Sequence, residues 1–115
     1  NHSVMRALDP MCGRGALLFA LRWVHTHHPT LLKARSALDI LGADIKSAKV
    51  FWAQRNADIT SHGAADVTGS QVPWSPISFF MARSDALPLT SGSVDLIVVD
   101  PPWGMLDSMG SHSYV

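Results

Sequence analysis

Short apolar runs alternate along the chain with longer segments of helical character. Four of the runs have the length of a single strand and cover residues 4–8, 37–43, 77–82 and 94–99. The apolar stretch over residues 16–24 is too long for a typical strand and is rich in Ala and Leu, so it predicts a buried helix. Residues 25–29 end this helix, because Pro29 cannot continue it and disfavours helical angles in the residue before it.

A second helix is predicted directly after the second strand. Apolar side chains recur every three to four positions at Ile45, Ala48, Phe51 and Trp52, with Lys46, Lys49, Gln54 and Arg55 between them. This spacing is typical of an amphipathic helix whose apolar side packs against the core. Phe51, Trp52 and, in the first helix, Trp23 are therefore expected to be core residues.

The remaining segments are predicted to lead into the last two strands. Residues 58–76 are polar and contain Gly, Ser and Thr, and they exceed most connections in compact domains, so they predict a surface loop or an insertion. Ser91, Gly92 and Ser93 form a turn before the last strand, which is rich in β-branched residues. The predicted order is strand, helix, strand, helix, strand, strand.

Strands that are apolar throughout and alternate with helices are typical of a parallel sheet covered on both faces. The sequence therefore predicts an α/β fold, a three-layer α/β/α sandwich with a mostly parallel sheet. In such sheets ligands bind outside the carboxyl ends of the strands. Polar residues at those ends are the candidates for function.

Composition limits the classes of protein that fit. The 115 residues carry nine basic and nine acidic side chains, a size that suits one small domain. Hydrophobic residues make up 47% and charged residues 16%, below the usual quarter, which excludes disorder and predicts some unusually apolar surface. The balanced charge argues against nucleic-acid binding by electrostatics alone, because phosphate contacts need a surplus of Lys and Arg on some face.

The chain predicts a soluble intracellular protein, cytoplasmic or nuclear, with no membrane or metal among its partners. The single Cys12 cannot form an internal disulfide or a cysteine-based zinc site. No uninterrupted run of about 18 apolar residues and no secretion signal is present. His25, His27 and His28 have no carboxylate or cysteine at usable spacing, so a solvated helix end is expected rather than a metal site.

Every acidic residue is an Asp, and four of them, Asp9, Asp44, Asp85 and Asp100, follow the predicted strands. After the first strand come Met11, Cys12, Gly13 and Gly15, which lead into the first helix. Glycines let the backbone bend sharply and approach a ligand, while a helix N-terminus offers N–H groups to an anion. An ordinary strand-to-helix turn would have the same form.

The next two acids each allow two interpretations. Asp44 can accept hydrogen bonds from both hydroxyls of a ribose, or it can cap the helix that begins at Ile45. Asp85, followed by Ala86, can accept a hydrogen bond from an adenine amine, or it can be a solvated turn residue. Position at a strand end favours the ligand role for Asp44 once the first turn is accepted.

The segment Asp100, Pro101, Pro102 and Trp103 follows the most hydrophobic strand. Consecutive prolines lack N–H donors and leave rigidly aimed carbonyl oxygens, which together with a carboxylate can hold an NH2 group. Trp103 offers a flat face on which a base can stack. The alternative is a rigid strand exit followed by a core tryptophan. This interpretation is the weaker one, because four such features occur at successive strand ends.

Taken together, these motifs resemble the Rossmann-like S-adenosylmethionine-dependent methyltransferases. The resemblance extends from Val4 to Gly104 and follows the order of that family: glycine turn, Asp, Asp-Ala and Asp-Pro-Pro-Trp-Gly. The motif Asp-Pro-Met-Cys-Gly resembles that of the RNA guanine-N2 methyltransferases, a group of RNA methylases often linked to THUMP RNA-binding domains. Arg14 departs from that pattern, since the family usually has a small residue there.

The resemblance implies that residues 1–115 form a partial methyltransferase domain, the N-terminal, cofactor-binding part of a seven-stranded Rossmann-like fold. It implies S-adenosylmethionine as cofactor and RNA, with guanine N2 of tRNA as the favoured target, bound mainly through segments or subunits outside this chain. The residues implied to bind the cofactor are Asp9, Met11, Cys12, Gly13, Gly15, Asp44, Ile45, Asp85, Ala86 and Asp100. The implied catalytic residues are Asp100, Pro101, Pro102 and Trp103.

Three other functions compete with this one. Methylation of adenine N6 or of a protein glutamine would also use a planar NH2 group, although the adenine enzymes with Asp-Pro-Pro-Trp place that motif before the cofactor turn. A dinucleotide-dependent dehydrogenase would require a third glycine where this chain has Leu18. The last alternative is a catalytically inactive methyltransferase-like scaffold subunit.

Overall fold

A computed structural model describes residues 4–28, 30, 37–60, 64–65, 71–72 and 75–101. Its elements in chain order are β1 (Val4–Asp9), α1 (Ala16–His27), β2 (Ala37–Asp44), α2 (Ser47–Ile59), β3 (Ala64–Ala65), β4 (Gln71–Val72), β5 (Ile77–Met81) and β6 (Leu96–Ile97). The predicted alternation of strands and helices is confirmed.

Four strands form one parallel sheet in the order β5-β2-β1-β6. Ile40 of β2 lies between Ala7 of β1 and Ile77 of β5, so the sheet centre is apolar. The connections β1–α1–β2 and β2–α2–β5 both run in the same direction along the sheet. Because connections of this kind are nearly always right-handed, both helices lie on the same face of the sheet. A hydrogen bond of 2.8 Å from Arg22 Nη2 in α1 to Thr60 Oγ1, just after α2, agrees with this arrangement.

The predicted α/β fold with a parallel sheet is therefore confirmed. The sheet and its single layer of helices make up two of the three predicted layers within the part of the chain that the structure describes. This arrangement is that of a partial Rossmann-like domain. All four strands of the main sheet point the same way, so their carboxyl ends meet at one edge.

The core lies between α1 and the centre of the sheet. Its buried side chains are Ala7, Cys12, Leu18, Leu21, Leu38, Ile40 and Ile77. Gly42 lets the helix approach, because a Cβ on this residue would lie 2.7 Å from Leu18 Cδ1 and 2.7 Å from Phe79 Cδ1. The close fit brings the turn before α1 against the carboxyl end of β2.

Helix α1 is three residues longer than predicted and is buried on one side only. It ends at His27, and His28 leaves helical angles with φ −137°. The proline effect acts on the residue that directly precedes Pro29, so residues 25–27 are still able to complete the last turn. Trp23, expected in the core, is 47% exposed, whereas Leu18, Leu21 and Arg22 are buried.

The prediction for the buried side of α2 is wrong. Phe51 is 58% exposed and Trp52 is 45% exposed, while Ala53 and Ala57 are buried. Small side chains let the helix approach the sheet closely, whereas the bulky aromatic rings would hold it away. The helix also begins two residues later than predicted, with Lys46 as its N-cap, so Asp44 is not the capping residue.

The two later regions of the chain also differ from the sequence interpretation. Within residues 58–76, α2 continues to Ile59, and β3 and β4 form an antiparallel pair with Ala64 opposite Val72, so this stretch is not wholly a loop. The last strand is limited to Leu96–Ile97 rather than residues 94–99. Backbone bonds from Asp95 N to Arg6 O and from Val98 N to Leu8 O nevertheless extend its pairing with β1.

Candidate active site

The turn between β1 and α1 is built around Asp9. Its side chain is buried, with 2% exposure, and Oδ1 accepts a hydrogen bond of 3.0 Å from Met11 N. The backbone then passes through Gly13 and Gly15 at φ 55° and 94°, angles that residues with a Cβ rarely adopt. Gly15 is the N-cap of α1, so the turn leads directly into the start of a helix.

Two hydrogen bonds tie this turn to the carboxyl end of β2. Cys12 N donates to Ala43 O at 2.8 Å, and Gly13 N donates to Asp44 Oδ2 at 2.9 Å. The other carboxylate oxygen of Asp44 accepts from Lys46 N at 2.9 Å. The structure thus brings Asp9, Cys12, Gly13 and Asp44 together, as the strand-end pattern predicted.

The two glycines of the turn have different surroundings. A Cβ on Gly13 would meet nothing within 4 Å, so the backbone there faces open space. A Cβ on Gly15 would lie 3.0 Å from Phe19 Cε2 and 3.3 Å from Phe79 Cζ, so packing as well as φ requires glycine. Gly13 therefore leaves a place where a ligand can approach the backbone.

The carboxylates at this edge interact electrostatically. Burial raises the pKa of Asp9 to about 6, the Met11 N–H opposes that rise, and the charges of Asp44 and Asp100 add to it. The influence of Asp100 on Asp9 places both carboxylates in the same electrostatic environment, at the ends of neighbouring strands. A cationic group would be attracted to this edge.

Cys12 is a packing residue in this turn. Burial raises the pKa of its thiol to about 12, and the charges of Asp44 and Asp9 act in the same direction. The thiolate is the nucleophilic form of cysteine, so the thiol is unreactive at neutral pH. The side chain is 6% exposed and belongs to the core cluster.

Asp85 lies on the exposed loop that follows β5. Its two carboxylate oxygens accept hydrogen bonds of 2.9 and 2.8 Å from Arg83, which hold the pKa of the carboxyl below its usual range. The loop begins beside the site, because Ala82 N donates to Asp44 O at 3.0 Å. Asp85 is therefore turned toward Arg83, and Ala86 next to it is exposed.

The segment after β6 brings Asp100 to the carboxyl edge next to β1. Asp100 is exposed and Pro101 is half-buried. Pro102 and Trp103 lie outside the described residues. Ile45, the remaining predicted cofactor residue, follows Asp44 directly and is 62% exposed.

Two residues at this edge were not identified from the sequence. Gly42 sits inside a strand, where glycine often marks a close approach of another part of the chain, so its position could have indicated the contact with Leu18. Arg83 lies two residues before Asp85, and this spacing of opposite charges was a usable signal for the ion pair.

The three histidines lie at the other end of α1. His27 stacks on Trp23 with ring centroids 4.4 Å apart, and its Nδ1 lies 3.0 Å from Trp23 O. His25 Nδ1 lies 3.3 Å from Ser75 Oγ. Across the described ranges, no group of three or more His, Cys, Asp or Glu side chains could hold a metal ion, and no helix is long and apolar enough to cross a membrane.

Comparison with known proteins agrees with the fold. The family model described as RMKL-like, methyltransferase domain matches residues 4–114. No curated protein gives a significant match to the sequence. The match confirms the predicted resemblance to the RNA methylases and the assignment as a methyltransferase, and it spans both the glycine turn and the Asp-Pro-Pro-Trp segment. The chain therefore belongs to the RMKL-like methyltransferase domain family.

Proposed function

We propose that the chain is an S-adenosylmethionine-dependent N-methyltransferase that modifies an exocyclic amine of an RNA base, with guanine N2 of tRNA as its target. The observation that carries this proposal is the meeting of Asp9, the Gly13 turn and Asp44 at the edge where Asp100 also lies. A turn held between two strand ends suits the cofactor, and a carboxylate on the neighbouring strand suits an amine.

The residues of the edge fit the cofactor chemically. S-adenosylmethionine carries a cationic ammonium and a cationic sulfonium, and carboxylates attract both charges. It also carries ribose hydroxyls, which donate hydrogen bonds to carboxylates. The open space at Gly13 provides room next to backbone groups. Asp9 and the segment from Met11 to Gly15 would bind the methionine portion, Asp44 and Ile45 the ribose and adenine, and Asp85 with Ala86 the adenine edge.

Methyl transfer to a base amine requires the amine to be oriented, because its lone pair is delocalised into the ring. The cofactor, when bound, supplies a methyl group on a positively charged sulfur. Asp100 and the carbonyl of Pro101 would accept hydrogen bonds from the two N–H groups of the amine and so direct its lone pair. Pro102 and Trp103 would complete the segment. Positioning and electrostatics would then provide most of the acceleration.

The substrate base must leave its stack to reach this edge. Exposure of Asp100 agrees with an acceptor that arrives from outside. The RNA is held mainly by segments or subunits other than this chain, as the balanced charge of the chain suggests.

Calorimetric titration of the complete protein with S-adenosylmethionine tests the cofactor assignment, and we expect saturable binding at one site. Mass analysis of nucleosides from a strain that lacks the protein tests the acceptor, and we expect loss of an N2-methylguanosine from tRNA. Loss of N6-methyladenosine in the same analysis, or of methylated glutamine in a mass analysis of the proteins of that strain, would instead identify one of the other amine acceptors. Absence of cofactor binding would favour the inactive scaffold.

A further inference from the structure

Three chain segments converge on Asp44. Its Oδ2 accepts from Gly13 N at 2.9 Å, its Oδ1 accepts from Lys46 N at 2.9 Å, and its main-chain oxygen accepts from Ala82 N at 3.0 Å. These donors belong to the β1–α1 turn, the start of α2 and the segment after β5. One residue thus joins the glycine turn to two other parts of the candidate site.

This arrangement requires a carboxylate. Both side-chain oxygens act as acceptors for backbone N–H groups, and an ionised Asp has only acceptors to offer. An Asn of the same shape would present one oxygen and one NH2 group, so one of the two backbone donors would face another donor. Such a mismatch costs more than the loss of one hydrogen bond, because it leaves a polar group unpaired.

We propose that Asp44 is a positioning residue that holds the Gly13 turn in its ligand-binding conformation before the cofactor arrives. The inference rests on the proposed function and adds to any contact of Asp44 with the ribose. Gly13 has φ 55° and open space on its exposed side, so its own packing does little to restrain it. The Cys12 to Ala43 bond fixes the preceding residue, and Asp44 fixes Gly13 itself. A turn ordered in advance lowers the entropy lost on binding.

The two roles of Asp44 predict different effects on two ligands. S-adenosylhomocysteine contains the amino-acid portion, whereas 5′-methylthioadenosine has the same nucleoside and sulfur without it. A residue that only contacts ribose would weaken both ligands by the same factor in the Asp44→Asn variant. A residue that positions the Gly13 turn would weaken S-adenosylhomocysteine further, because that turn is assigned to the amino-acid portion.

Calorimetry on the complete protein measures the ratio of the two dissociation constants. We expect Asp44→Asn to reduce the preference for S-adenosylhomocysteine by about tenfold, the value of one well-formed hydrogen bond. The matched control is Asp39→Asn in the same strand. The Asp39 carboxylate accepts a hydrogen bond of 2.8 Å from Arg6 Nε and lies away from the turn, so this variant should keep the ratio of the wild type. An unchanged ratio in folded Asp44→Asn overturns the proposal.

Amide hydrogen exchange of the wild-type protein without ligand gives a test that needs no variant. The Gly13 amide should exchange slowly despite its position in an open turn, and it should be as protected as the Cys12 amide. A freely exchanging Gly13 amide would overturn the positioning role. Failure of the wild type to bind either ligand would count against the proposed function, while the exchange of Gly13 would still decide the role of Asp44.

Discussion

The two halves of the candidate active edge are built differently. At the ends of β1 and β2, Asp9 is buried with 2% exposure, and the Gly13 turn is hydrogen-bonded to the last residue of each strand, Asp9 and Asp44. At the ends of the two outer strands, β5 and β6, Asp85 and Asp100 are exposed, and Ile97 of β6 is 60% exposed. The central half of the edge, at β1 and β2, is therefore preorganised, and the outer half, at β5 on one side and β6 on the other, is open.

This difference suits the two partners of the proposed reaction. A cofactor has the same shape in every cycle, so a rigid and partly buried turn can be complementary to it. The acceptor base arrives as part of a large RNA, so Asp100, the group proposed to hold it, belongs on an accessible segment, whereas Asp85 of the open half is assigned to the adenine of the cofactor. The helices explain why the first half is rigid, because α1 packs against Gly42 and fixes the turn that precedes it.

The largest effect is expected in the open half, at Asp100. Asp100→Ala should lower methyl transfer by about a hundredfold to a thousandfold, the usual effect of losing one hydrogen-bonding group that stabilises the transition state. Stability should not change, since the side chain is exposed. Single-turnover assays with the complete protein measure the effect, and Asp100→Asn, which keeps one acceptor, should retain part of the activity. Full activity of Asp100→Ala would remove the catalytic assignment.

The buried half should show a pH-dependent stability that depends on Asp9. Its pKa is raised from 3.8 to about 6, so the native state binds the proton more tightly than the unfolded state does. The stabilisation is complete below pH 3.8 and is lost as pH rises to about 6, by about 3 kcal/mol in the free energy of unfolding. Ionised Asp9 is therefore strained electrostatically at neutral pH.

Asp9→Asn should abolish this dependence. Urea unfolding from pH 4 to pH 8 should show the variant gaining stability relative to the wild type between pH 4 and pH 6, with no further gain above that. Cofactor binding should weaken at the same time, because the buried charge that attracts the cation is removed. A stability difference that is constant with pH would show that Asp9 does not titrate in this range.

The preorganised half was the more predictable from the sequence. Asp9, Gly13 and Asp44 could be placed together because carboxyl ends of adjacent parallel strands share an edge, and apolar strands separated by helices indicate a parallel sheet. Hydrogen-bond geometry could not be predicted, because an Asp at the end of a strand is equally compatible with a helix cap, a ribose ligand and a partner of Gly13.

The error in α2 has a physical cause. Apolar periodicity selects the bulky residues Phe51 and Trp52, whereas the space next to the sheet accepts Ala53 and Ala57. Both sets recur at helical spacing, so only the tertiary distance between helix and sheet decides between them. The pairing of Asp85 with Arg83 was missed although the opposite charge lies only two residues away in the sequence, because Asp85 was interpreted only as an adenine ligand or a solvated turn residue.

Gly42 tests whether close helix packing makes the first half rigid. Gly42→Ala should destabilise the protein by about 2 kcal/mol, because its Cβ would lie 2.7 Å from Leu18 and Phe79 and these side chains must move. Hydrogen exchange at Gly13 should accelerate as α1 shifts. Thermal and urea unfolding measure the cost, which should shrink when Leu18→Ala provides room in the double variant. Additive effects of the two substitutions would argue against direct contact.

The smallest effect is expected at the ion pair of Asp85 with Arg83, and its sign is more informative than its size. Both groups are exposed, so the pair contributes little to stability and its loss should leave the melting temperature unchanged. If Asp85 accepts the adenine amine, Arg83 competes for the same oxygens. Arg83→Gln should then raise the affinity for 5′-methylthioadenosine and Asp85→Asn should lower it, each by less than about fivefold. Opposite shifts assign Asp85 to the cofactor, whereas unchanged affinity in both variants identifies it as a solvated turn residue and leaves recognition of adenine to other residues.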